Sequence, residues 1–164
     1  MRRALHLLQI TERWIAATAF GFMTLLVLAD IFLREAFKQS FPVGPKLAID
    51  LMILGGFLGA AITSGKGTHL KAEVASKIWP KGVKPLVDRL SEGLTALFCA
   101  GMAWLAFQYV SQSFEMGEVG VVTRIPVWIS QAILPWAFVS MSVRHSIFAI
   151  FPALKPTPTI EDIK

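Results

Sequence analysis

The stretch Gly65-Lys66-Gly67-Thr68 is the first place where residue types and spacing invite chemistry. A phosphate loop needs a glycine, four residues, then Gly-Lys and a hydroxyl residue; backbone N–H groups then cradle phosphate and the hydroxyl reaches a magnesium ion. Here five residues separate Gly59 from Gly65, Lys66 is followed by Gly67, and an apolar run precedes the motif instead of a buried strand. Spacing, hydroxyl ligand and context all fail, so nucleotide binding is rejected. His6, His69 and His145 fall near the edges of apolar runs. A haem in a helical bundle needs histidines inside the spans, and a metal site needs clustered ligands. His69 therefore reads as an interfacial hydrogen-bonding residue. The single cysteine, Cys99, can form no internal disulfide. No nucleophile with a base, no paired catalytic carboxylates and no metal-ligand spacing is visible. No catalytic, cofactor-binding or metal residue is assigned, and the chain is not expected to be an enzyme.

Asp30, Arg34 and Asp50 are the charges of most interest. Asp30 and Arg34 are four apart, so they share a helix face and can pair. Asp50 falls early in the following apolar run, at similar depth on the same side. Acids within membrane spans are costly and default to a functional role. One reading is an ion-pair cluster bridging helices or subunits. The other is that Arg34 snorkels while Asp50 favours its helix N-terminus. A proton relay is disfavoured, because no further acid continues the path across the bilayer.

The elements that must position these residues are membrane helices. Hydrophobic residues make up 54% of the 164-residue chain and charged residues only 16%, against about 25% charge in soluble domains. The charge is concentrated between apolar runs at 14–33, 47–65, 93–114 and 125–143. Each is close to the roughly 20 residues that cross a hydrocarbon core of about 30 Å. The expectation is an all-α integral membrane protein with a single domain over 1–154. Its four transmembrane helices are expected near 12–35, 45–66, 86–114 and 125–151, followed by a polar tail at 155–164. The first run offers no small-residue cleavage site and reads as a retained helix. Pro135 should kink the last helix.

With four spans both termini lie on one side. Twelve of the 16 lysines and arginines fall there, leaving Arg34, Lys38, Lys46 and Arg124 on the other. The positive-inside rule then makes both termini cytoplasmic. The net charge of +5 reflects this bias and attraction to anionic lipid; nothing in it calls for nucleic acid. Between helices 2 and 3, Val74, Ile78 and Trp79 share one side while Lys71 and Lys77 can reach headgroups. This segment, about 70–84, is expected to be an amphipathic helix in the membrane plane, with Trp14, Lys71, Lys77, Trp79 and Lys84 as interface anchors. A plain cytosolic connector is the alternative. Gly55 and Gly59 form a small-residue face on helix 2, and Ala17 and Gly21 do so on helix 1; such faces let membrane helices approach closely.

Three segments, in this order and spacing, carry a family resemblance. They are DIFLREAF, with Asp30 and Arg34; LAIDLMILGGFLGAAITSGKGTHLKAEV, with Asp50, Gly55, Gly59 and His69; and RIPVWISQAILPWAF, opening on Arg124. The chain resembles the small membrane (DctQ-like) subunit of tripartite ATP-independent periplasmic (TRAP) transporters from about residue 10 to 151. It departs from the family pattern at Gly44-Pro45-Lys46, where paired acids and a tryptophan often stand. The resemblance implies two protein partners, a large elevator-type membrane subunit and a periplasmic binding protein, besides membrane lipid. It implies sodium-driven uptake of a carboxylate such as a C4-dicarboxylate or sialic acid. It makes this chain a non-catalytic scaffold in the cytoplasmic membrane of a bacterium or archaeon, with Asp30, Arg34, Asp50, Gly55, Gly59, His69 and Arg124 as partner-interface or interhelix candidates. A self-sufficient homodimeric ion-coupled transporter, or an anchor for another complex, are the alternatives.

Overall fold

The computed structural model describes residues 2–39, 42–65 and 83–154. Within them the chain forms α1 (Arg2–Phe37), α2 (Val43–Gly65), α3 (Lys84–Glu115), a short α4 (Val127–Gln131), α5 (Ile133–Ile150) and a closing 3-10 turn at Pro152–Leu154. Four segments are long and apolar enough to cross a membrane, α4 and α5 together supplying the last. The described residues are helical apart from turns and one isolated bridge, Val119 to Pro126. The 70–84 segment up to residue 82, with His69 just before it and Lys71, Lys77 and Trp79 within it, lies outside the described residues, and so does the 155–164 tail. Lys84 enters only as the first backbone position of α3.

The helix ends follow local chemistry. Pro45 sits in the first turn of α2, and Pro85 in the first turn of α3; a helix does not need those N–H groups. α1 starts at Arg2, about ten residues before the expected start, so the lead-in is part of the span's own helix. At the far end of α3, the Gly117 N–H donates to the Phe114 carbonyl at 3.1 Å and the Glu118 N–H to the Ser113 carbonyl at 3.3 Å. This is a Schellman cap, and Gly117, at φ +61°, occupies its left-handed position. The last span breaks at Ala132, three residues before Pro135. Proline cannot donate to the Gln131 carbonyl and its ring crowds that turn, so the expected kink appears as a division into α4 and α5.

α1 packs along α2, α3 along α5, and α2 against α5 joins the two pairs. One core cluster joins Ala16, Leu58 and Ile133 of α1, α2 and α5. A second joins Ala61, Cys99 and Met141 of α2, α3 and α5. Phe57 and Phe138 meet edge to face, centroids 6.0 Å apart. Small residues dominate the buried set, with Ala16, Ala19, Ala48, Ala61, Ala96, Ala103, Ala106 and Ala137 all inside. Large apolar side chains such as Phe22, Leu25, Leu97, Phe98 and Trp104 point outward. A soluble bundle would do the reverse. In lipid no hydrophobic force drives helices together, so close backbone approach and packing carry association.

The glycine face of α2 divides in two. A side chain at Gly55 would strike the Phe20 ring of α1 at 2.7 Å, whereas one at Gly56, Gly59 or Gly21 would meet nothing within 4 Å. Gly55 therefore serves the α1–α2 contact. Gly55→Leu should destabilise the purified chain by about 1–3 kcal/mol through overpacking, while Gly59→Leu should leave its thermal unfolding in detergent unchanged. Equal shifts in the two variants would contradict this division.

Candidate functional site

The densest polar chemistry lies at one end of the bundle, where the start of α1, the end of α2, the start of α3 and the end of α5 converge. Six polar side chains there are buried: Glu12, Ser64, Glu92, Ser140, Arg144 and His145. Arg144 is fully enclosed, at 0% exposure, and Glu12 is at 1%.

Arg144 sits on α5, six residues before its end. Its Nη2 donates to the Glu12 carboxylate of α1 and its Nη1 to the Ala61 carbonyl of α2. The end of a helix carries partial negative charge, which favours a cation at that carbonyl. Ser140, one turn before Arg144, donates its hydroxyl to the other Glu12 oxygen at 2.7 Å. His145 extends the cluster to α3. Its Nδ1 lies 2.6 Å from Glu92 Oε2 and its Nε2 lies 2.6 Å from Ser64 Oγ of α2. With the proton on Nδ1, His145 donates to Glu92 and accepts from Ser64; with both nitrogens protonated it donates to both. Phe148 closes the imidazole off edge-on, at 6.4 Å. Nearby, Ser142 donates to the Ala96 carbonyl of α3 at 3.0 Å. Three buried polar residues of α5, Ser140, Arg144 and His145, thus reach all three other spans.

The chemistry available here is mutual satisfaction of charge. An isolated buried ion costs several kcal/mol even after relaxation, and attraction repays it only when good geometry and further hydrogen bonds satisfy the pair. Both Glu12 oxygens and both Arg144 terminal nitrogens have partners; Arg144 Nε has none among the described residues.

None of the six residues stood among the sequence candidates. The sequence reading puts Arg144 and His145 near a membrane edge, inside the helix expected over 125–151, and reads Arg144 only as a topology residue. In the structure both lie inside α5, which runs on through Ser146, Ile147, Phe148, Ala149 and Ile150, and both side chains are buried against the other spans. That apolar continuation was the available signal: a Ser-x-x-x-Arg-His face within a helix that stays oily beyond it. Glu12, beside the exposed Arg13, carried no comparable mark.

The sequence candidates fall elsewhere. Asp30 is buried and accepts from Arg34 at 2.6 Å, with Arg34 itself 58% exposed. Asp50 accepts from Lys46 at 2.9 Å. Each acid thus pairs with a cation one turn away on its own helix. Arg124 adopts a left-handed conformation, φ 56°, and its N–H donates to the Gly120 carbonyl at 2.9 Å in the loop between α3 and α4. Trp14 is 68% exposed on α1. Among the described residues no three His, Cys, Asp or Glu side chains group as metal ligands.

Breaking the central pair should be costly. Glu12→Leu or Arg144→Met alone should each destabilise the purified chain by about 3 kcal/mol, because one charge is left buried. The double variant should recover most of that loss, since apolar replacement of a whole buried pair is often neutral. Thermal unfolding of the four proteins in one detergent measures this cycle, and additive losses would contradict the pairing.

A search among curated proteins returned no match for the chain. A family model described as the DctQ component of tripartite ATP-independent periplasmic transporters matches residues 23–151. The match takes in α2, α3 and α5 with Arg144 and His145, and begins after Glu12. With four spans of the right length and the larger part of its sequence covered, the chain belongs to the DctQ family of TRAP transporter components.

Proposed function

We propose that the chain is the non-catalytic scaffold subunit of a sodium-coupled TRAP transporter. It holds the large elevator-type membrane subunit at a fixed depth. That subunit takes up a carboxylate, such as a C4-dicarboxylate or sialic acid, from a periplasmic binding protein. The observation that carries this reading is the use of the buried polar groups. Glu12, Arg144, Ser140, His145, Glu92 and Ser64 bond to one another across four helices, which suits a rigid strut better than a substrate path. An elevator mechanism needs one part that does not move, and a bundle locked at its junction supplies it.

Depth supports the same reading. Glu12 and Asp30 on α1 are separated by about 27 Å at 1.5 Å per residue, close to a hydrocarbon thickness of about 30 Å. The buried cluster and the Asp30–Arg34 pair then mark the two faces of the membrane. By the excess of lysine and arginine, the cluster lies on the cytoplasmic side with both termini; removing the buried Arg144 from that tally does not change its sign. α1 spans 36 residues, about 54 Å long, so it tilts or projects beyond the bilayer. Trp14, Trp79 and the lysines at 71, 77 and 84 are the proposed anchors at the inner interface.

The test is reconstitution. Co-expressed with the large subunit, the affinity-tagged chain should co-purify with it. Proteoliposomes holding both should take up the carboxylate only with the binding protein and an inward sodium gradient. Liposomes with this chain alone should show none. Uptake by the chain alone would instead establish the self-sufficient transporter.

A further inference from the structure

The break between α4 and α5 leaves polar atoms that the chain itself does not satisfy. Pro135 has no N–H, so the Gln131 carbonyl loses the donor that a continuous helix would supply. The turn around the break puts no other N–H on it; the last bond before the break runs from the Ala132 N–H to the Trp128 carbonyl at 2.9 Å. The Gln131 side chain lies at the same point. Its Nε2 donates to the Tyr109 hydroxyl of α3 at 3.3 Å. Its Oε1 is shut off from the surface and accepts from no described residue. Two acceptors of one residue, the side-chain and main-chain oxygens of Gln131, are thus unmatched at one place.

Turning the amide over does not remove the mismatch. Oε1 would then accept from the Tyr109 hydroxyl, and the NH2 group would take the sealed position with no acceptor. A nearby hydroxyl is one local remedy for a carbonyl freed by proline, and ordered water is another. The nearest hydroxyl is already used, since Ser130 donates to the Val127 carbonyl at 3.0 Å. The atoms that seal Oε1 belong to this chain, so neither lipid nor a neighbouring subunit can reach it. Its partner must be enclosed with it, and must be small enough to share the turn. Buried waters are found where two to four polar groups lack partners. A hard cation fits less well, because it takes about six or more oxygen ligands and the break offers two.

We propose that one water molecule is built into the fourth span at the α4–α5 break, where it donates to Gln131 Oε1 and to the Gln131 carbonyl. Tyr109, whose hydroxyl accepts from the amide and can still donate, stands beside it. α4 has only about one and a half turns, so a small displacement of that piece makes room. The water takes the place of the N–H that Pro135 lacks, and the span bends here without a bare carbonyl. The site belongs to this chain alone and does not depend on its role in transport.

Radiolytic labelling reads such a site directly. A brief X-ray pulse turns water into hydroxyl radicals where it sits, and mass spectrometry then locates the oxidised side chains. In the purified chain in lipid nanodiscs, Leu134 and Pro135 should be oxidised. Leu97 and Leu105, which point outward elsewhere on the membrane-spanning helices, should not. Gln131→Leu should lower labelling at Leu134 and Pro135 at least fivefold. Pro135→Ala, which returns an N–H to the Gln131 carbonyl, should lower it at Leu134 by a similar factor. Met116, exposed beyond the end of α3, should be labelled equally in all three proteins and reports the dose. Unlabelled Leu134 and Pro135 in the unmodified chain, yields there no higher than at Leu97 and Leu105, or yields that either variant leaves unchanged, would overturn the site.

Discussion

The fold turns on one buried guanidinium. Arg144 is closed off from solvent, and an isolated buried ion costs several kcal/mol even after relaxation. The bundle offsets that cost only if α1 presents Glu12 and α2 presents the Ala61 carbonyl at the same point. His145, the next residue, imposes a parallel demand on Glu92 of α3 and Ser64 of α2. Four helices with little other reason to choose one register are thereby given one. Apolar packing in lipid is permissive about sliding and rotation; a charged pair with two-sided hydrogen bonding is not.

Around that junction the packing is inside-out in size. Alanines dominate the interior, and many of the phenylalanines, leucines and tryptophans lie outside. Small inner residues bring backbones close enough for Ser142 to reach the Ala96 carbonyl and for Phe20 to lie against Gly55. The other end is held differently, by the Schellman cap at Gly117 and by helix-local pairs, Asp30 with Arg34 and Asp50 with Lys46. One end of the molecule is thus tied across helices by buried charge, and the other is shaped within single elements.

Much of this was legible in the sequence. Four apolar runs between charged punctuation dictate four spans, because nothing else buries so much hydrocarbon surface with so little charge. Three ordered segments carry the family. Pro135 announced a disturbance of the last helix, which appears at Ala132. The cluster was not legible, for a physical reason. A charged residue near the end of an apolar run reads equally as a topology signal or as a buried partner, and only the identity of what lies opposite decides. Arg144 and Arg13 look alike in sequence; one is enclosed and the other exposed. Glu12, 132 positions away from Arg144, cannot be matched to it without the topology that brings α1 and α5 together.

Under the proposed scaffold role, the buried pair fixes architecture and takes no part in moving ions or substrate. The most direct measurement is sodium-dependent carboxylate uptake by vesicles holding the whole transporter, with Glu12→Leu/Arg144→Met in this subunit. Uptake with unchanged sodium dependence and normal complex assembly is the predicted result, because an apolar pair of similar volume can replace the strut. A correctly assembled complex that has lost uptake, or its coupling to sodium, would contradict it.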